Sequence, residues 1–337
     1  MLTAEQLQER RTGIGGSDIA AVLGLSPYQT PLDVYRDKLG LAEDEDLSGK
    51  APIEWGNRLE DVVAAKFADE TKLGSRVQRR SKGYVHGEHP ILKGNIDRAI
   101  TGTVFGGLKA GLECKTADKW AARDLWGKGS TFEWSDEGEL LLVESDDQVP
   151  DWYRMQCAHY QAITGADVWF LSVLIGGNDF RTYTIFRDEE LEALMIEQAL
   201  LFWNEHVLAQ VPPAPVNQRD LESLYPRNEL DETVADAETV QAVADLKELT
   251  LQVKALEAKI DGVTVGGTKV GGLKNKVREA IGSHAELLLD PEGKPIATWK
   301  NQRSSKRFDE QAFKAAHPKL YREFSVEREG SRVLLIK

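Results

Sequence analysis

Hydrophobic and polar positions along the chain change period several times, and each change marks an expected element. Leu2 to Arg11 reads as a short helix that breaks at Thr12-Gly13. Ser17 or Asp18 then suits the N-cap of a small helix running to Leu23. Thr30-Pro31 opens another, since proline fits a first turn, and it turns Leu32, Val34, Tyr35 and Leu39 toward a core. From Ile53 to Asp69 the residues Leu59, Val62, Val63 and Phe67 fall on one helical stripe. Strands are expected at Ser75 to Val85, Leu92 to Ile100 and Leu108 to Lys115, with turn material from His86 to Pro90. Pro150 to Thr164 has helical spacing, with Cys157 and Ile163 inward. Asp167 to Leu174 is an unbroken apolar run, the mark of a strand buried on both faces, whereas Phe180 to Phe186 alternates like a more exposed one. Asp188 to Leu208 is a long amphipathic helix that closes an α/β domain over residues 1–210.

The pattern then stops at VPPAPVNQ, whose prolines favour an extended connection, and a linker is expected over residues 211–233. Residues 234–337 read as an appendage, a helical hairpin followed by a small α+β region. Val240, Val243, Leu246, Leu249, Val253, Leu256 and Ile260 recur at steps of three and four, a helix with a coiled-coil-like seam. Glycine-rich VTVGGTKVGG turns into a second helix, Leu273 to Ile281, as its antiparallel partner. Strands are expected at Ala297 to Lys300 and Arg332 to Ile336 and a helix at Asp309 to Ala316, with Trp299 and Phe308 read as core in preference to base-stacking platforms.

Composition narrows the class. A hydrophobic content of 41% with 29% charged residues is that of a soluble globular protein. No apolar run approaches the roughly 18 residues of a membrane span, and MLTAEQLQERR has no signal-peptide core, so a cytoplasmic protein without membrane partners is expected. Two cysteines, Cys114 and Cys157, are too few for a zinc or iron–sulfur site, which leaves oxygen as the donor for any metal. The net charge of −13 speaks against a nucleic-acid partner until its distribution is considered. From Lys269 to Lys337 there are 15 Lys and Arg against 9 Asp and Glu. Thr131 to Asp151 holds eight acidic residues and no basic one, and reads as a solvated loop in preference to a regulatory or DNA-mimicking element. NQRSSKRF, with Arg303, Lys306 and Arg307, is either a solvated turn or a DNA contact.

The chemistry concentrates in KGNIDRAITGTVFGGLKAGLECK, Lys93 to Lys115. On a strand Glu113 and Lys115 project to one side and Cys114 to the other, and a hairpin-like return sets Asp97 beside them. Two carboxylates and an ammonium converging on one point suit a divalent-metal hydrolase, although an ordinary charged strand edge has the same letters. Glu60 borders the apolar stripe of its helix, and Tyr153, Gln156 and Tyr160 share one helical face that could meet the carboxylates. GIGGS leads into a helix N-terminus, and with Arg10 and Arg11 upstream it could hold an anion, or be a plain glycine-rich turn.

Five segments in order, RRTGIGGS, WGNRLE, NID, LECK and YRMQ, resemble the YqaJ-type viral recombinases, a branch of the PD-(D/E)xK nucleases that includes phage lambda exonuclease. The resemblance spans roughly residues 8 to 208. It implies a restriction-endonuclease-like mixed sheet flanked by helices, and a 5′-to-3′ exonuclease on linear double-stranded DNA that leaves 3′ single-stranded tails for an annealing protein. It implies two Mg²⁺ ions, with Mn²⁺ as a substitute, and a homo-oligomeric trimeric ring around DNA. By position, Asp97, Glu113 and the Cys114 carbonyl would ligate metal, with Glu60 completing the acidic cluster. Lys115 would position or deprotonate the attacking water, Tyr153 and Gln156 would flank the scissile phosphate, and Arg10, Ser17 and Arg11 would grip the 5′ phosphate. The chain departs from the family pattern in having Ile96 where proline precedes the aspartate, and in a longer acidic segment after the lysine. An endonuclease on the same core and a non-catalytic DNA-binding recombination protein are the alternatives.

Overall fold

The computed structural model describes residues 4–42, 49–120, 124–227, 232–326 and 334–336, which fall into two units, one through Leu224 and one from Tyr225. The first unit begins with helices α1 (Ala4–Arg11), α2 (Gly16–Val22), α3 (Pro31–Lys38) and α4 (Ala51–Glu70). Strands β1 (Val77–Gln78), β2 (Tyr84–Val85), β3 (Lys93–Gly94), β4 (Arg98–Ile100), β5 (Ala110–Ala117), β6 (Thr131–Trp134) and β7 (Leu140–Glu144) follow. Helix α5 (Asp151–Thr164), strands β8 (Val168–Ile175) and β9 (Asp179–Phe186), and helices α6 (Glu189–Phe202) and α7 (Gln218–Leu224) complete it.

Local chemistry sets these boundaries. Thr30 caps α3 by accepting from the Asp33 amide at 3.2 Å, while the Asp33 carboxylate accepts from the Thr30 amide at 2.9 Å, a reciprocal capping box. Helix α2 starts two or three residues earlier than Ser17 or Asp18 would place it, because Gly15 is the N-cap and Asp18 sits at the third helical position, accepting from the Gly15 amide at 3.0 Å. α5 ends at Gly165, whose left-handed backbone (φ 68°) closes it. The π-helical turn Trp203–Leu208 extends α6.

A five-stranded mixed sheet in the order β1-β4-β5-β8-β9 forms the centre, with β5 and β8 parallel and the other pairs antiparallel. Side chains alternate across it. Val168 and Phe170 of β8, with Leu112 and Cys114 of β5, pack under Val63, Ala64 and Phe67 of α4. Trp169, Leu171 and Val173 face the other way, onto a core shared with α2, α5 and α6. A mixed sheet between helical layers is therefore observed, and its doubly covered β8 explains the unbroken apolar run. Gly111 permits this packing: a Cβ there would lie 2.3 Å from the Trp169 ring.

Several expectations are corrected. The acidic segment is no loop but a hairpin, in which Phe132 pairs with Leu142 and Trp134 with Leu140, so that these four side chains share one face while Glu133, Leu141, Val143 and Glu144 are exposed. Trp134 pins it by donating from Nε1 to the Thr71 carbonyl at 2.7 Å. β9 is also more buried than its alternation suggests, since Trp126 and the Gly127 carbonyl cover Tyr183, whose hydroxyl donates to that carbonyl at 2.7 Å. The two long strands of residues 75–100 are four short ones: β2 pairs with β3 and β1 with β4, because the chain changes partner at Gly94-Asn95. Within the stretch read as a linker, Asp220 of α7 is buried against α3, accepting from Thr30 Oγ1 at 2.9 Å.

The second unit comprises α8 (Ala237–Asp261), the hairpin β10 (Val263–Val265) and β11 (Thr268–Val270), α9 (Leu273–Ile281), the pair β12 (Leu287–Leu289) and β13 (Pro295–Thr298), α10 (Glu310–Ala316) and α11 (Pro318–Glu323). Lys269 and Lys274 pair with Asp261 at the end of α8, at 2.8 and 2.7 Å. The apolar seam of α8 is exposed. Trp299 and Phe308, expected in a core, are 50% and 66% exposed, because the chain from Trp299 to α10 leaves the β12–β13 pair with no regular structure over them. Arg332 and Val333 of the last expected strand lie outside the described residues, and Leu334 to Ile336 form no strand.

Two substitutions test this packing. Gly111→Ala should cost about 2 kcal/mol in denaturant unfolding, since the buried Trp169 ring cannot make room. His159 of α5 is fully buried, its Nε2 bonded to the Lys93 carbonyl at 3.1 Å, and burial lowers its pKa to about 4. The unfolded chain protonates this residue first, so its contribution to stability, about 3 kcal/mol, is present above about pH 6.5 and lost as pH falls toward 4. His159→Gln should remove that pH-dependent difference; a parent and variant with parallel stability–pH curves would contradict it.

Candidate active site

Strand β5 carries the site. Its antiparallel pairing with β4, Arg98 opposite Leu112, draws Asp97 back beside Cys114, whose amide donates to Asp97 Oδ2 at 2.8 Å. Alternation turns the Cys114 side chain into the α4 core, where burial pushes its thiol pKa up, and turns Glu113 and Lys115 toward α5. Glu113 is buried, and its Oε1 accepts from Lys115 Nζ at 2.5 Å and from Gln156 Nε2 at 2.8 Å. Gln156 also donates to the Tyr160 hydroxyl at 2.9 Å, and Tyr160 fills the space that glycine leaves at position 16, where a Cβ would lie 2.6 Å from the ring. Lys115 Nζ lies 5.0 Å from the centre of the Tyr153 ring.

The electrostatics are those of two acids forced together. Burial and then the neighbouring Glu113 carboxylate hold the Asp97 pKa well above the usual carboxylate range, with Lys115 and the Cys114 amide opposing. For Lys115, burial works against the ammonium, but Glu113 and Asp97 outweigh it and raise the pKa, so this lysine stays charged. Glu113 Oε2 is buried and accepts no hydrogen bond. An orphaned carboxylate oxygen beside a second, reluctantly ionised carboxylate is the donor set that a hard divalent cation would satisfy. Among the described residues no three His, Cys, Asp or Glu side chains gather into a cation cage, so water would supply the remaining positions.

Glu60 accounts for the missing third acid. It borders the same cleft, but its Oε1 accepts from Arg98 Nη1 at 2.6 Å and Arg79 Nη2 at 2.8 Å. Arg98 and Arg79 also pair with Asp61 of the next helical position. Glu60 is thus tied into an arginine network rather than gathered with Asp97 and Glu113. Arg98 follows Asp97 in sequence, and strand alternation sends the two to opposite sides, which is the signal that could have revealed it.

A cleft of about 1440 Å³ joins these groups, larger than typical small-molecule pockets. Asp97, Glu113, Cys114, Lys115, Tyr153 and Glu60 line it, as do Arg10 and Tyr28; Gln156 stands behind Glu113. Arg10 Nη2 lies 3.0 Å from Asp18 Oδ1 and 3.5 Å from Ser17 Oγ. Arg11 does not line the cleft: its guanidinium lies near Gly40, where an added Cβ would sit 3.6 Å from Nη1. The sequence reading gave Asp18 only a capping role and Lys38 none. Burial would raise the Asp18 pKa, but Lys38 at 2.6 Å and Arg10 keep it below its ordinary value, so the ionised carboxylate fixes Arg10 at the cleft wall. Because Lys38 Nζ is wholly buried, Asp18→Asn should cost about 3 kcal/mol or more in unfolding experiments, whereas the same change at exposed Asp61 should cost less than 1 kcal/mol.

The profile of the YqaJ-like viral recombinase domain matches residues 5–167. The uncharacterized protein YqaJ of Bacillus subtilis (strain 168) is 33% identical over 270 residues, 76% of each chain. Similar solved structures include an alkaline exonuclease from Laribacter hongkongensis, at 16% identity and a TM-score of 0.45 over 62% of this chain and 94% of that one. A phage-related exonuclease from Haemophilus somnus 129PT shows 11% identity and a TM-score of 0.36 over 59% and 96%. With its matched region carrying the cleft from Arg10 through Tyr153, the chain belongs to the YqaJ-like viral recombinase domain family.

Proposed function

We propose that this chain is a Mg²⁺-dependent deoxyribonuclease that trims linear duplex DNA from its 5′ ends. The observation that carries the reading is the Asp97–Glu113–Lys115 group, in which a buried carboxylate has one oxygen on an ammonium and the other unsatisfied. Asp97 and Glu113, with the Cys114 carbonyl, would hold the metal, which when bound lowers the pKa of a coordinated water and neutralises phosphate charge. Lys115, held cationic between two acids, presents a positive charge where hydrolysis develops negative charge. Gln156 keeps Glu113 in its rotamer through a bond that also anchors Tyr160, and Tyr153 walls the lysine from the aromatic side. The names of the alkaline and phage-related exonucleases support the same class of reaction.

Polarity would come from the other end of the cleft. Arg10, aimed by Asp18, and exposed Ser17 would grip a terminal phosphate. Each cut at a neighbouring linkage would create a new 5′ phosphate to be gripped in turn, leaving a 3′ single-stranded tail for an annealing protein. A ring of subunits around the duplex would keep the enzyme on its substrate.

A time course on linear duplexes with 5′-phosphate or 5′-hydroxyl ends and on a closed circle, with Mg²⁺ or with chelator, separates the readings. The expected result is Mg²⁺-dependent loss of the linear DNA, faster from the phosphorylated end, with the circle intact. Rapid cutting of the circle would establish an endonuclease instead, and no Mg²⁺-dependent cutting of any substrate would leave a binding protein. Lys115→Ala should retain duplex binding while hydrolysis falls by about 100-fold or more; lost binding in a folded variant would overturn the role given to this lysine.

A further inference from the structure

The proposed nuclease reaction makes no use of the segment WKNQRSSKRF of the second unit, Trp299 to Phe308. Lys300, Arg303, Lys306 and Arg307 supply four positive charges with no acidic residue among them, and an aromatic stands at each end. Every residue of the segment is exposed and none is in a helix or strand. The Trp299 amide donates to the Glu286 carbonyl at 2.9 Å, which ties the indole to the end of the β12–β13 pair. Arg278 of α9, bonded to Asn275 at 2.9 Å, lies 5.9 Å from the centre of the indole, and the side chain remains half exposed. Phe308 lies against Phe313, with ring centres 5.1 Å apart and planes tilted by 55°, and is two-thirds exposed. The acids that follow are occupied: Asp309 caps α10 by accepting from the Ala312 amide, and Glu310 accepts from the Tyr321 hydroxyl at 2.6 Å.

We propose that Trp299 to Phe308 is a binding site for single-stranded nucleic acid, with Lys300, Arg303, Lys306 and Arg307 on the phosphates and Trp299 as a base-stacking platform backed by Arg278. Basic side chains alone would attract any polyanion. Exposed rings among them select for unpaired bases, because in a duplex the base faces are already stacked on one another. Large exposed aromatics with no core function also cost hydration free energy in the free chain, which stacking on a base recovers. The use of the site rests on the nuclease reading: trimming one strand of a duplex leaves the ligand that this segment suits.

Fluorescence anisotropy of the full-length chain in chelator, with a labelled oligothymidine and a blunt duplex, tests the site without cleavage. The triple variant Arg303→Ala, Lys306→Ala, Arg307→Ala should bind oligothymidine about tenfold more weakly, and its log–log salt slope should fall by about 2. Trp299→Ala should weaken binding about tenfold, and Trp299→Phe should restore most of it. Circular dichroism matching the parent shows that these surface changes leave the fold intact. Unchanged affinity and salt slope in the triple variant would overturn the site. An equal loss on blunt duplex would overturn the single-strand assignment, as would binding of anionic vesicles without oligothymidine. Resection in Mg²⁺ is read separately, so failure of the nuclease reading is distinguishable from failure of this one.

Discussion

The buried carboxylate of Glu113 is the constraint around which the first unit is arranged. A charge removed from water must be matched by charge and hydrogen bonds, or it is protonated or expelled. Lys115 supplies the charge from two residues along the same strand, and Gln156 supplies a hydrogen bond from α5. Those two partners fix β5 against α5, and Tyr160 passes the constraint on to α2 through the gap at Gly16. The remaining unsatisfied oxygen leaves the group incomplete in a way that suits a cation more than a further side chain.

The cleft is polarised by a second buried ion pair, Asp18 with Lys38, at the Arg10 end. The two arrangements differ in purpose. At Glu113 acids crowd together, and Lys115 and the Cys114 amide only partly offset the burial and repulsion that raise the Asp97 pKa. At Asp18 one buried acid holds two cations, and Lys38 also meets Asp37 at 3.6 Å, so Arg10 is the group left facing the cleft. Glu60, drawn off by Arg98 and Arg79, ties α4 to β4 between them and holds the cleft wall in place. In the second unit the balance is different: few side chains are buried, and the basic, aromatic segment after β13 faces solvent.

Short-range chemistry was legible in the sequence. The Thr30-Pro31 helix start, the doubly buried run of β8 and the alternation that sends Glu113 and Lys115 to one face all follow from local periodicity and capping, and all are observed. The acidic segment was misread because eight carboxylates outweighed the alternation of Phe132, Trp134, Leu140 and Leu142 that makes it a hairpin. The exposure of β9 was misjudged because the group that covers it, Trp126, lies far away in sequence.

By itself, then, the sequence determined which side chains β5 offers and which segments could meet them, since alternation and helical spacing act over a few residues. Only the tertiary structure decided the partners. Lys38 finds Asp18 across 20 residues and Gln156 finds Glu113 across 43, and no local pattern records either distance. Glu60 borders the helical stripe as its spacing says, yet competition with Arg98, set by the β4–β5 register, gives it an arginine in place of the acidic cluster. Burial decided the rest, because a carboxylate's charge state depends on the water it loses, and that loss is a property of the packed chain.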